Sequence, residues 1–272
     1  MSAIRDTIVE FIFYALGYFD WAIEQVSDVL TLNIFNGGLV ILAQGIANVI
    51  KPIAYTIISI CFLIEFIKIT AEMNILKWEY GVRVLIKFVF AKVAIDLSSE
   101  LLTAIYTTGA DLIITIGNDP NGALGNAVSG AIEAEVNNMS WMQAMGIMTT
   151  IVLPIMAIMV IALIVLVMAY ARIFELSIYI AIAPIPCAFL PVDGSRITKK
   201  FFFSFAAVVL QGVFMVIILQ LYKTLCITVF IPLIVVPGII NTAPMNMLFG
   251  SLLLVLTIMK SGTWAKQILD SV

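Results

Sequence analysis

The distribution of positive charge constrains this chain more than any other feature. Between Lys92 and Arg172 the sequence contains no Lys or Arg, although 62% of all residues are hydrophobic. Cytoplasmic loops of membrane proteins retain Lys and Arg, so a long segment without them is interpreted as exported. The same gap holds acidic residues, namely Asp96, Glu100, Asp111, Asp119, Glu133 and Glu135. The sequence therefore predicts an integral membrane protein that leaves the cytoplasm within this gap.

Composition argues against several other classes of protein. Only 11% of the 272 residues are charged, well below the roughly 25% of an ordinary soluble domain. The chain has 14 Lys and Arg against 17 Asp and Glu. It has no basic tract that would neutralise the phosphates of a nucleic acid. Direct sequence-specific binding of nucleic acid is therefore not expected.

No catalytic or metal-binding pattern is visible in the sequence. The chain has no His, which is the commonest metal ligand and the usual general base near neutral pH. Cys61, Cys187 and Cys226 are widely spaced in apolar runs, and no CxxC pair, phosphate loop or HExxH motif occurs. We therefore expect a protein that is not an enzyme and has no metal or cofactor, with bound phospholipid left open.

The hydropathy pattern predicts an all-α, polytopic membrane helical bundle with about five transmembrane helices. The predicted spans are residues 53–69, 82–106, 148–170, 201–225 and 247–259. Residues 1–272 would then form a single membrane domain in the cytoplasmic (inner) membrane. The N-terminus is predicted outside and the C-terminus inside, because the Lys and Arg clusters alternate with segments that lack them.

Residues 1–50 are predicted to form an amphipathic or interfacial N-terminal region. Within residues 4–30 apolar side chains recur at helical spacing, and acidic residues fall between them on one face. An acidic face does not attract anionic lipid, so this helix is predicted to contact protein. Residues 34–50 are apolar but interrupted, which fits a re-entrant or interfacial segment, or the beginning of the next span.

Three further segments interrupt the predicted spans. Residues 117–145 are the most polar stretch and are predicted to be an extracytoplasmic loop, either an ordinary exposed one or a contact for a partner or substrate. Residues 173–191, which contain Pro184 and Pro186, are predicted to be a continuation, or a re-entrant or broken segment. A full crossing there would place the basic loop 193–200 outside, whereas the positive-inside rule predicts that it is cytoplasmic.

Charged and amide side chains inside the predicted spans form a candidate intramembrane polar network. Its members are Glu65, Lys68, Lys92, Asp96, Glu100, Arg172, Glu175 and Gln211. Spacings of three or four residues place neighbouring charges on one helix face, where opposite charges can pair. A lone charge at bilayer depth costs at least a few kcal/mol, so these groups are expected to face protein or water. Two interpretations stay open: pairs that hold the bundle together, or the lining of a conduit or proton relay.

Residues 171–212 resemble a known family. The resemblance rests on Ala171-Arg172-Ile173-Phe174-Glu175-Leu176, on Ala181-Ile182-Ala183-Pro184-Ile185-Pro186, on Lys199-Lys200-Phe201 and on Leu210-Gln211-Gly212. These segments are similar to the TrbL-like polytopic inner-membrane subunit of type IV secretion (conjugal transfer) systems, in the branch found in conjugative elements of Gram-positive bacteria. The family-like motif residues are Ala183, Pro184, Ile185, Pro186, Leu210, Gln211 and Gly212.

The resemblance implies a channel or scaffold component of a machine for conjugative DNA transfer. Members of this family assemble as several copies with a secretion ATPase and a bitopic assembly protein, so a homo-oligomeric ring in membrane lipid is expected. Arg196, Lys199 and Lys200 would then form a cytoplasmic docking site or a phospholipid headgroup contact, or act only as a topology anchor. The alternatives are a proton-coupled secondary transporter that uses Asp96 and Glu100, and a small exporter or immunity component.

Overall fold

A computed structural model describes residues 2–31, 38–72, 78–117, 140–192, 196–225, 228 and 243–270. No strand occurs in these ranges, so the all-α prediction is confirmed for them. The helices are α1 (Ser2–Thr31), α2 (Gly38–Glu72), α3 (Trp78–Asp96), α4 (Ser98–Gly117), α5 (Trp141–Ile182), α6 (Pro184–Cys187), α7 (Arg196–Leu225) and α8 (Ala243–Asp270).

Three of the described helices are long and apolar enough to cross a membrane. The suitable stretches are Ile41–Lys68 in α2, Met156–Ile182 in α5 and Arg196–Leu225 in α7. Each exceeds the roughly 20 residues that a helix needs to span the hydrocarbon core. They overlap the first, third and fourth predicted spans, and the prediction of a helical membrane bundle is confirmed. The second and fifth spans, which fall on α3–α4 and on α8, stay predictions.

Helix α2 continues through the boundary predicted at residue 50. Pro52 lies inside the helix, although proline removes one backbone hydrogen bond and usually kinks or ends a helix. Residues 38–50 therefore continue into the first span, which is one of the alternatives that the sequence left open. The stretch suited to the membrane accordingly begins at Ile41 and not at residue 53.

Helix α5 extends past the end predicted for the third span at residue 170. It is one helix from Trp141 to Ile182, and the first part of the segment 173–191 is therefore a continuation of it. The chain breaks at Ala183, forms the four-residue α6 and then passes through turns to Val192. Two prolines explain the break, because each lacks an N–H and disfavours helix at the residue before it. The broken segment is thus located at residues 183–192.

The described residues belong to two compact units. The described residues of the first unit lie within the segments Met1–Thr31, Asp111–Ala171 and Gln211–Trp264. Those of the second unit lie within the segments Leu32–Ala110, Arg172–Leu210 and Ala265–Val272. A single membrane domain over residues 1–272 remains a prediction.

In the second unit, α6 packs against both α2 and α3, and these two helices pack against each other. The core they share contains Ala54, Ile58, Ala91, Ile95, Cys187 and Ala188. Small side chains at such contacts let helix backbones approach closely, as is typical of membrane helices. The Thr198 hydroxyl at the beginning of α7 donates a hydrogen bond to the Pro186 carbonyl at 2.6 Å. The proline-containing segment is therefore part of a packed core.

In the first unit, α1 has one buried face and one exposed acidic face. Its buried residues are Ala22, Val26, Val29 and Leu30, whereas Asp6, Glu10, Glu24 and Asp28 are exposed. A Cβ added to Gly212 of α7 would lie 3.6 Å from Leu30 and 3.8 Å from Ile113. Helix α1 is thus held against the bundle by its apolar face, as its amphipathic pattern allows.

Candidate functional site

The polar residues of the second predicted span lie on α3 and α4. Helix α3 ends at Asp96 and α4 begins at Ser98, with Leu97 in a turn between them. The Leu97 N–H donates to the Val93 carbonyl at 2.9 Å, and the Leu101 N–H donates to the Leu97 carbonyl at 3.0 Å. Each bond links residues four apart, as in an α-helix. The helical period therefore continues across the junction.

Because of this continuity, α3 and α4 together present three distinct faces. The buried face contains Ala91, Ile95, Ser98, Leu102 and Tyr106. A second face, the apolar stripe, is exposed and contains Phe90, Val93, Leu97 and Leu101. The third face, the polar stripe, contains Lys92, Asp96, Glu100, Thr103 and Thr107, of which only Thr103 is half-buried and the others are exposed.

The polar stripe extends over a distance comparable with most of the hydrocarbon thickness of a membrane. Its residues follow one another at spacings of four, four, three and four, which keeps them on one side of the helix. From Lys92 to Thr107 the helix rises about 22 Å at 1.5 Å per residue. That distance is most of the roughly 30 Å hydrocarbon core of a bilayer.

Hydrogen bonds fix three side chains of the polar stripe. The Tyr55 hydroxyl of α2 donates to the Oδ1 atom of Asp96. The Thr103 hydroxyl donates to the Ser99 carbonyl at 2.7 Å, and the Thr107 hydroxyl donates to the Ala104 carbonyl at 3.0 Å. The two threonines therefore need no partner from another helix for their protons, and α2 orients the Asp96 carboxylate.

The structure places the other predicted network residues apart from this stripe. Glu65 forms an ion pair with Lys87 of α3 at 3.8 Å, because α2 and α3 pack side by side, while Lys68 is exposed. The Nη1 atom of Arg172 lies 2.5 Å from the Oε2 atom of Glu175, three residues further along α5. The buried Nε atom of Arg172 has no hydrogen-bond partner among the described residues.

The family-like residues and the basic residues occupy different environments. Ala183 and Pro184 are buried, Ile185 and Pro186 are half-buried, and Leu210 of α7 is half-buried. Gln211 and Gly212 are buried, and the Gln211 amide lies so close to Gly262 that a Cβ there would be 2.8 Å from its Nε2 atom. Arg196, Lys199 and Lys200 are exposed in the first turns of α7.

A comparison with known protein families identifies the family of this chain. A family model described as TrbL/VirB6 plasmid conjugal transfer like protein matches residues 31–184, more than half of the chain. The chain belongs to this family. The match includes α2 to α5 and the whole polar stripe. No curated protein and no solved structure matches the chain.

The match to the TrbL/VirB6 family confirms the TrbL-like prediction, and it overlaps the resembling segment 171–212 only in part. Of the segments that carried the resemblance, it includes Ala171–Leu176 and ends at Pro184. Together with the three apolar helices, it identifies a membrane protein of the conjugal transfer machinery.

Sequence reasoning missed a cavity in the first unit of this TrbL/VirB6-like chain. Its volume is about 260 Å³, and its polar lining comprises Asp20, Glu24, Ser27, Asp28, Gln220 and Lys223. The Gln220 amide donates to the Gly117 carbonyl at 3.2 Å, and Lys223 is only 8% exposed. The acidic spacing on α1 was visible in the sequence, but nothing in it indicated that α7 would lie opposite.

Some predicted features fall outside the described residues. Residues 118–139, which form most of the predicted loop 117–145, are among them, as are Cys226 and residues 193–195 of the predicted basic loop. Within the described ranges no group of three or more His, Cys, Asp or Glu side chains is arranged to hold a metal ion.

Proposed function

We propose that this protein is a channel and scaffold subunit of a type IV secretion machine for conjugative DNA transfer. Membership of the TrbL/VirB6 family supports a role in conjugal transfer. The observation that carries the finer proposal is the polar stripe, which exposes Lys92, Asp96 and Glu100 in a chain where most residues are hydrophobic. Placing such a charge in contact with lipid costs several kcal/mol of free energy. Other protein or water therefore covers them in the assembled machine.

The proposed assembly is a closed ring of identical subunits in the cytoplasmic membrane, with the N-terminus outside and the C-terminus inside. A secretion ATPase supplies the energy, because the sequence has no nucleotide-binding motif, and a bitopic assembly protein completes the complex. The exposed Arg196, Lys199 and Lys200 at the beginning of α7 are proposed to contact a cytoplasmic partner or phospholipid headgroups.

The alternative of a proton-coupled transporter gains no support from the family match. Its two carboxylates, Asp96 and Glu100, are both exposed on the polar stripe. Transporters of that kind bind their substrate at a site enclosed near the membrane midplane. The channel and scaffold role is therefore the function that the geometry supports best.

Deletion of the gene from its conjugative element tests the proposed function. We expect the transfer frequency in a mating assay to fall to the detection limit and to recover when the wild-type gene is supplied in trans. An immunoblot of the membrane fraction confirms that the supplied protein is present. Unchanged transfer by the deletion strain would contradict the proposed function.

A further inference from the structure

We propose that the polar stripe of α3 and α4 lines a water-filled passage formed where copies of this chain meet. The inference rests on the proposed function, and it specifies which surface of the subunit faces that passage. In this proposal, α3 and α4 together form the second predicted span of the membrane.

The charges on the stripe favour water over a tightly packed partner helix. In a ring with rotational symmetry, each residue of one copy lies at the same depth as its equivalent in the next copy. Asp96 would therefore face Asp96, and Glu100 would face Glu100, if the stripes converge on the ring axis. Like charges repel strongly in a dry contact and weakly in water. A hydrated space between the stripes removes that conflict.

The hydrogen bonds of the stripe leave room for water. Thr103 and Thr107 donate their hydroxyl protons to their own helix, so they offer no donor to a neighbouring helix. Their oxygens still accept hydrogen bonds, and water supplies donors in any direction. Tyr55 holds the Asp96 carboxylate through Oδ1, while the Asp96 side chain stays exposed. Water can therefore complete the hydrogen bonding of the stripe.

The other two faces of the same helices are suited to different surroundings. The buried face contains Ala91 and Ile95, which belong to the core shared with α2 and α6. The apolar stripe exposes Leu97 by 41% and Leu101 by 45%, and acyl chains solvate such residues. Of the three faces, only the polar stripe requires water.

Cysteine accessibility tests this assignment in the complete machine. Glu100→Cys and Thr103→Cys probe the polar stripe, and Leu97→Cys and Leu101→Cys probe the apolar stripe. Glu100 and Leu101 are adjacent in the chain, so they form a pair at matched depth. Native membranes from cells that carry the whole conjugative element are treated with a membrane-impermeant, charged maleimide, and labelling rates are measured by gel shift. The thiolate is the reacting form, so a thiol in lipid reacts slowly.

Native cysteines leave a low background in this experiment. Cys61 and Cys187 are buried and are kept, whereas Cys226 is replaced by Ser in every variant, including the parent chain. The labelling of that parent is subtracted. Thr103→Cys is close to isosteric, so it keeps the test informative if Glu100→Cys fails to accumulate in the membrane.

We expect both polar-stripe cysteines to react at least tenfold faster than both apolar-stripe cysteines. Fast reaction at all four positions would place α3 and α4 outside the bilayer and overturn the proposal. Slow reaction at all four would show that protein packs over the stripe and would also overturn it. Either result can occur while the deletion strain still loses transfer, so the passage and the proposed function fail separately.

Discussion

The polar and apolar stripes of α3 and α4 are both exposed, yet exposure has opposite meanings for them. If α3 and α4 form the second predicted span, lipid solvates Leu97 and Leu101 on the apolar stripe, and that side needs no further protein. Lipid does not solvate Asp96 and Glu100 on the polar stripe of the same span. Exposed charges on this predicted span therefore mark the surface where, in the proposed assembly, the single chain is incomplete.

The largest expected effect comes from placing a charge on the third, buried face. Ile95 is fully buried in the core shared with α2 and α6, so Ile95→Asp would bury an unpaired carboxylate. We expect a loss of stability of more than about 3 kcal/mol, seen as a protein absent from the membrane fraction or with a much lower Tm in detergent.

The matched control for the buried face is Thr103→Asp, which adds the same carboxylate to the polar stripe. We expect that variant to accumulate and melt like the parent, because water or polar groups surround the stripe. Equal stability of Ile95→Asp and the parent would show that the two faces do not differ in the way described.

The next effect comes from converting the polar stripe into a second apolar stripe. The double substitution Asp96→Leu and Glu100→Leu removes both carboxylates without touching the core. We expect normal abundance in the membrane but a transfer frequency that falls at least about tenfold. The charged stripe disfavours contact with lipid, whereas the leucine side chains of the variant would favour it, so the passage would no longer hold water. A mating assay with the deletion strain measures it.

The control for this change is Leu97→Ile with Leu101→Ile, which keeps the apolar stripe apolar. Transfer with these variants is expected to match the wild type. If the Asp96 and Glu100 variant also transferred at the wild-type rate, the polar stripe would have no part in transfer.

A smaller effect is expected from the charged pair on α5, which sharpens the comparison because its two members form an ion pair within the chain. Arg172→Leu leaves Glu175 without its partner at 2.5 Å, and we expect a loss of roughly 1–3 kcal/mol. The double variant, with Glu175→Leu added, should regain part of that loss in detergent melting experiments. A double variant no more stable than Arg172→Leu would contradict the pairing.

The smallest effect is expected at Lys87, whose side chain is 46% exposed and lies 3.8 Å from Glu65. Lys87→Ala should cost less than about 1 kcal/mol, because exposed ion pairs contribute little. Its transfer frequency and Tm should equal those of Lys68→Ala, which removes an exposed lysine of α2. A strong defect in Lys87→Ala alone would show that this pair has a role beyond the α2–α3 contact.

The sequence predicted the common face of the polar stripe but not the pairing of its side chains with other helices. The four-residue spacing of Lys92, Asp96 and Glu100 predicted a common face, and spacing along one helix is a local property. Tyr55, the partner of Asp96, lies 41 residues away in the chain. The pairing of Glu65 with Lys87 depends on how α2 packs on α3. Pairings between helices follow from packing, which periodicity does not determine.

Charge alone did not determine where α5 ends, and the sequence left open whether residues 173–191 continue the third span. The third span was predicted to end beside Arg172, yet α5 accommodates Arg172 by pairing it with Glu175 and ends only before Pro184. Proline is a backbone constraint, whereas a charge inside a helix needs only a partner. The prolines were therefore the better guide to the end of the helix.

Affinity purification of the tagged protein from native membranes in mild detergent, followed by mass spectrometry, tests whether the protein is a subunit of a secretion machine. We expect a homo-oligomer that co-purifies with a secretion ATPase and a bitopic assembly protein. Recovery of the protein alone and as a monomer, in several detergents and in nanodiscs, would show that it is not such a subunit.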